Sequence, residues 1–208
     1  MTDDLLAYYD DATGERVGLS AADLGEWSAA TAALLIAECG LTAGDRVGVL
    51  LPTHWQTAIV LLGAWSAGME VSFGGGESTF AATFVERRRV GSWIDDVPPA
   101  RHQFALGPGA PVADVPSGYR DFLTAVRPHL GAPAPAWSSV LQGAAAPGGS
   151  TFAEYGHLAR EIASSQGMSR GEQVVIDIAT ASAQPLMWLL APLSVGAPIL
   201  LRAGDRRS

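Results

Sequence analysis

One eight-residue pattern occurs twice in this chain of 208 residues. Gly40-Leu-Thr-Ala-Gly44-Asp-Arg-Val47 returns as Gly167-Met-Ser-Arg-Gly171-Glu-Gln-Val174, a constant offset of 127 positions (167 − 40). Each copy follows an amphipathic helical pattern, leads into a short apolar run, continues as a second apolar helix, and closes on a Gly step. These steps are Trp65-Ser-Ala-Gly68-Met and Leu193-Ser-Val-Gly196-Ala. A helix, turn, strand, helix and strand cannot cover both faces of a sheet alone. Two copies therefore predict an α/β chain in which repeated parallel sheet layers are sandwiched by helices.

Periodicity and turn chemistry divide the chain into three blocks: 1–96 as the first αβ unit, 97–149 as a Pro/Gly-rich connection with a short helix, and 150–208 as the second αβ unit. The whole is expected to pack as one compact domain. In the first block, residues 5–17 read as a strand and hairpin around Asp10-Asp-Ala-Thr-Gly14. Ser20 with Asp23 starts a helix through Leu24, Trp27, Ala30 and Leu34 that stops at Gly40. The apolar run from Val47 has the character of a parallel strand covered on both faces, and Pro52 ends it. Thr53 with Gln56 predicts a capping box for a helix reaching Gly68. Beyond it come a strand over 71–73, a helix bearing Phe80, Phe84 and Val85, and a strand over 90–94. Nine of the thirteen prolines fall within 97–149, which makes that stretch read as irregular. In the last block, Thr151 with Glu154 opens a helix, followed by a strand over 174–178, a helix over 186–194 and a strand over 198–201.

The formal net charge of −8 repels phosphate backbones and anionic lipid, so neither nucleic acid nor a membrane surface is an expected partner. Arg87-Arg88-Arg89, the basic run, reads as a solvated helix end. The start, Met1-Thr-Asp-Asp4, is acidic rather than leader-like. The most apolar stretches are short or interrupted by Pro192 and Pro198, so the expected compartment is the cytoplasm. Cys39 stands alone, which removes internal disulfides and multi-cysteine metal sites. His102, His129 and His157 form no i, i+4 pair suited to zinc, and no G-x-S-x-G elbow is present. All thirteen basic residues are Arg, so chemistry that needs a lysine ammonium from this chain is excluded.

The segment from Gly40 to Pro52, with Leu61-Leu-Gly-Ala-Trp-Ser-Ala-Gly68 after it, resembles the opening of the adenylate-forming (AMP-binding) enzymes. These are the acyl-CoA synthetases and their adenylation-domain relatives, which join a carboxylate to AMP at the expense of ATP. Leu189-Leu-Ala-Pro-Leu-Ser-Val-Gly196-Ala resembles a later segment of the same family. The resemblance implies the fold of the family's N-terminal subdomains. It also implies a phosphate loop rich in Ser, Thr and Gly that ends in Pro-Lys-Gly and grips the ATP phosphates. At the matching place this chain reads Gln142-Gly143-Ala144-Ala145-Ala-Pro147-Gly148-Gly149. Ala144 and Ala145 stand at hydroxyl positions and Gly148 at the lysine position. Each lost bond to a charged group removes roughly 1.5–3 kcal/mol, so triphosphate binding is expected to fall by orders of magnitude. The aromatic-His pair that the family carries after its second strand is absent from Asp177-Ile-Ala-Thr-Ala-Ser-Ala-Gln184. Its catalytic Lys has no counterpart either.

A second candidate site is the strand edge at His54 and Trp55 together with Gly74-Gly75-Gly76, where open α/β sheets bind ligands. The glycines match neither dinucleotide nor Walker spacing and read as a tight connection. Three functional readings follow. The first is a degenerate, non-catalytic binding or assembly protein with no catalytic residues, no cofactor and no metal. The second is half of a split adenylate-forming enzyme. The third is a protein with a small acyl or nucleotide ligand on the strand edge. An apolar face left over from the longer relatives is expected to be covered by homodimer formation.

Overall fold

The computed structural model describes residues 4–73, 79–90, 97–107, 114–135, 145, 149–181 and 183–204. In chain order its strands are β1 (Asp4–Asp10), β2 (Arg16–Ser20), β3 (Arg46–Leu50), β4 (Glu70–Ser72), β5 (Phe80–Glu86), β6 (Ala100–Leu106), β7 (Arg120–Asp121), β8 (Val174–Asp177) and β9 (Ile199–Ala203). The helices are α1 (Ala21–Ala33), α2 (Trp55–Ser66), α3 (Arg87–Val90), α4 (Phe122–Val126), α5 (Phe152–Ser165) and α6 (Ala191–Val195). A π-helical segment, Leu34–Glu38, continues α1, and another, Leu186–Leu190, leads into α6. Pro192 has no N–H for the preceding turn, which favours the wider winding there. Among the described residues no helix is long and apolar enough to cross a membrane.

The chain forms two compact units: Met1–Leu24, Thr53–Ala58 and Ala153–Ser208 make one, and Gly25–Pro52 with Ile59–Phe152 make the other. The first unit holds a four-stranded sheet in the order β2-β1-β9-β8. Its hairpin β1–β2 is antiparallel, while β1–β9 and β8–β9 run parallel. The hairpin turn is set by Asp10, whose carboxylate accepts the Ala12 N–H and the Thr13 hydroxyl, both at 2.8 Å, before Gly14 turns the chain at φ 75°. Ser20 and Asp23 cap α1 reciprocally: Asp23 Oδ2 accepts the Ser20 N–H at 2.9 Å and Ser20 Oγ accepts the Asp23 N–H at 3.2 Å. Leu6, Leu189, Ile199 and Leu201 are buried. The beginning and end of the chain thus share one sheet, across the sequential division expected from the sequence.

The second unit holds a five-stranded, wholly parallel sheet in the order β4-β3-β5-β6-β7. β5 corrects the expected helix at Phe80, Phe84 and Val85. The apolar run is a strand buried on both faces, and Phe84 stacks on Phe104 with centroids 5.0 Å apart. Val90 ends α3 instead of opening a strand, and residues 91–94 lie outside the described set. Within 97–149, expected as an irregular connection, β6 and β7 extend the sheet, and α4 supplies the short helix. On α2, Gly63 faces Thr31 of α1 so closely that a Cβ there would lie 2.4 Å from Thr31 Cβ, which fixes the helices at small-residue distance.

The duplication is visible bond by bond. Gly40 and Gly167 both adopt φ 67°, and Gly68 and Gly196 adopt 77° and 72°. The Gly44 N–H donates to the Gly68 carbonyl at 2.9 Å, and the Gly171 N–H donates to the Gly196 carbonyl at 3.1 Å. One copy of the repeat lies in each unit. Left-handed backbone at these positions requires Gly, which explains why the glycines outlast other residues in the duplicated pattern.

Candidate functional site

Of the loop matched to the phosphate grip, Ala145 and Gly149 are described, while Gly143, Ala144, Pro147 and Gly148 lie outside the described residues. Ala145 is fully buried. Its carbonyl accepts the Trp65 indole N–H at 3.1 Å and the Val71 N–H at 3.0 Å, and its own N–H donates to the Ser150 carbonyl at 2.7 Å. Residue 145 therefore closes the outer edge of β4 with its backbone and turns its methyl into the core. A buried methyl and an engaged carbonyl give an anionic phosphate nothing to bind.

His54 and Trp55 begin α2, in the other unit, and the structure packs them both. The His54 ring meets Tyr8 edge-on at 4.3 Å. His54 Nδ1 accepts the Gln56 N–H at 3.3 Å, which places the proton on Nε2, and Nε2 lies 3.5 Å from Glu15 Oε1. The same carboxylate oxygen accepts the Trp55 indole N–H at 2.7 Å. Glu15, whose side chain is only 8% exposed, is the residue that sequence reasoning missed here. The arrangement anchors the hairpin to the start of α2. Gly74, Gly75 and Gly76 lie outside the described residues.

A cluster the sequence did not reveal lies in the five-stranded unit. Glu38 accepts a hydrogen bond from Arg120 and pairs with His129 Nε2 at 2.8 Å. The Arg120 guanidinium sits over the Phe104 ring, 5.3 Å from its centroid. A cavity of about 400 Å³ is lined by Glu38, Arg120, Asp121, Thr124, Ala125 and Pro128. Asp121 caps α4, its Oδ1 accepting the Thr124 N–H at 2.7 Å. The hydrogen bond from His129, helped by Arg120, holds the Glu38 carboxyl below its usual range. Burial pushes the Cys39 thiol up, so it stays protonated and unreactive. Among the described residues no group of three or more His, Cys, Asp or Glu could hold a metal ion. His157 pairs with Glu161 on α5 at 3.2 Å, in solvent.

The comparisons with known proteins agree with this architecture. The family model described as "AMP-binding enzyme" matches residues 2–73. A curated family protein of Mycobacterium tuberculosis, whose name states no activity, is 38% identical over 128 residues, covering 60% of this chain and 53% of that protein. The chain thus spans about half the length of the curated relative it matches. The solved acyl-CoA synthetase of Brucella canis superposes with a TM-score of 0.71 at 22% identity, over 96% of this chain and 40% of that one. An anthranilate CoA ligase solved with anthranoyl-AMP gives a TM-score of 0.72 at 16% identity, over 97% and 42%. The acetoacetyl-CoA synthetase of Streptomyces lividans gives 0.65 at 18%, over 97% and 36%. Residues 2–73 thus match the AMP-binding enzymes, and the chain has the fold of the N-terminal region of the solved acyl-CoA synthetases.

Proposed function

We propose that this chain, acting alone, is a non-catalytic binding or assembly protein built on the N-terminal scaffold of an AMP-binding enzyme, and that it works in the cytoplasm. The observation that carries the reading is the loop at residues 142–149. It offers a triphosphate no hydroxyl before Ser150 and no cation, in a chain without a single lysine, and its buried Ala145 serves the fold. Adenylation stabilises a transition state in which charge develops on the phosphates, so losing both cation and hydroxyls removes the groups that would do it. ATP–pyrophosphate exchange across a panel of aliphatic and aromatic carboxylates tests this. No exchange above background is expected, and exchange stimulated by any one acid overturns the reading.

The coverage of the relatives favours a second reading, that the chain is one half of a two-chain adenylate-forming enzyme. The uncovered share of the solved acyl-CoA synthetases would then reside on a partner. Reconstitution of exchange by a co-purifying protein distinguishes it from the first.

Self-association belongs to the same proposal. Among the described residues of the five-stranded unit Ile36, Phe73 and Leu130 are large apolar side chains left exposed, and a homodimer would cover some of them. Light scattering at micromolar concentration is expected to give twice the chain mass of 21.6 kDa.

A further inference from the structure

The two copies of the repeat differ in one respect: among the described residues the second is a strand short. In the first copy, β3 has a neighbour on each side, β4 and β5, both parallel to it. The 127-residue offset makes β8 the counterpart of β3, with Val174, Val175, Ile176 and Asp177 at the positions of Val47, Gly48, Val49 and Leu50. β9 stands where β4 stands, and no strand among the described residues takes the position of β5.

The ladder shows which groups face the opening. The Val174 N–H donates to the Pro198 carbonyl at 2.8 Å and the Ile178 N–H to the Arg202 carbonyl at 3.0 Å. In a parallel pair alternate residues bond to alternate sides, so Val175 and Asp177 turn their N–H groups away from β9. Val175 is 54% exposed, the highest value among the large apolar residues described. The strand carries no bulge or proline, and its four residues end on Asp177, whose carbonyl accepts the Ala181 N–H at 2.8 Å, so the open ladder groups centre on Val175.

We propose that the free edge of β8 is a docking position for an extended apolar segment of another polypeptide, running parallel to β8 as β5 runs to β3. The inference deepens the assembly reading and rests on it for its biological role. Parallel pairing makes the contact heterologous, since two β8 edges meeting about a two-fold axis perpendicular to the sheet would pair antiparallel. The partner strand has the chemistry of β5, aromatic and aliphatic on both faces. It also needs small residues at the two places corresponding to Phe80 and Thr83. At Gly48 a Cβ would already lie 3.3 Å from Thr83 and 3.4 Å from Phe80, and Val175 brings a whole side chain to that place. Arginines flanking the strand would suit a chain of net charge −8.

The experiment uses the full chain and, as probe, a synthetic peptide of residues 79–88 carrying Phe80→Ala and Thr83→Ala, followed by amide hydrogen exchange. In the chain alone the Val175 amide is expected to exchange far faster than Val174 or Ile176. Saturating peptide is expected to slow Val175 exchange by about tenfold or more, as a new ladder bond would. Val175→Pro removes this N–H at no cost to the β9 ladder, so the protection that peptide gives the neighbouring outward amide, Asp177, should vanish with Tm unchanged. If that variant fails to fold, Val175→Lys, which keeps the N–H but sets a charge on the edge, should weaken the peptide at least several-fold. Protection of Val175 in the free chain, no protection with peptide, protection unaltered by both substitutions, or antiparallel β8–β8 pairing would each overturn the proposal. Pyrophosphate exchange by the chain alone would remove the non-catalytic reading and leave this measurement untouched.

Discussion

The Trp55 indole N–H donates to Glu15 Oε1 at 2.7 Å, a bond between side chains 40 residues apart in sequence. Both groups are nearly out of solvent, with Trp55 at 6% exposure. The bond ties the turn of the β1–β2 hairpin to the first turn of α2. A carboxylate at this depth is expensive to desolvate, so each donor it keeps matters more than one at the surface.

Trp55→Phe preserves most of the packing and deletes that donor. The expected loss is about 1.5–3 kcal/mol, the range for a hydrogen bond to a charged group. Urea denaturation monitored by circular dichroism measures it, and an unchanged midpoint would show that the indole contributes packing alone.

Gly63→Ala sets two effects against each other. Alanine gains about 1 kcal/mol of helix propensity over glycine. The new methyl would lie 2.4 Å from Thr31 Cβ and 2.8 Å from the Ser28 carbonyl oxygen, neither of which is the loose end of a flexible side chain. Overpacking of this kind costs roughly 1–3 kcal/mol and wins, so a net loss of stability is expected. Thermal unfolding checks the sign.

Acid should weaken the fold through two groups. The His102 pKa is lowered, chiefly by burial and then by Arg101, so the stability it contributes is complete above its ordinary value of 6.5 and is lost as pH falls through the lower folded value. Glu38, also lowered, contributes stability that is complete above its ordinary value of 4.5 and is lost as pH falls through its own lower folded value. Its side chain is 40% exposed, so solvent screening keeps this contribution small. Chemical denaturation of His102→Gln and Glu38→Gln across the acid range should show each variant losing its own share of the pH dependence and keeping the other.

What the sequence made legible was the chemistry that acts over a few residues. The paired glycines, the Asp10 turn and the Ser20–Asp23 cap are local, and each stands where its residues pointed. β5 reads as a helix in the sequence because Phe80 and Phe84 are four apart, a helical spacing. In a strand buried on both faces the same residues are simply members of a continuous apolar run, which periodicity cannot distinguish from a short buried helix. Glu38, Arg120 and His129 were invisible for another reason. Separations of 82 and 91 residues are bridged only by folding, and no motif marks such a group in advance. His54 and Trp55 were legible as residues that belong together, but not as partners of Glu15.

The parallel pairing of Leu6 with Ile199 also bears on how the molecule is made. A ribosome releases the first of these residues long before the second, 193 positions later (199 − 6). The opening hairpin must therefore wait, with one side of β1 unsatisfied, until β9 has emerged. Residues 25–52 and 59–152 suffer no such delay and can complete their sheet earlier. Birth order thus leaves β1 without its parallel neighbour while the residues between them are synthesised.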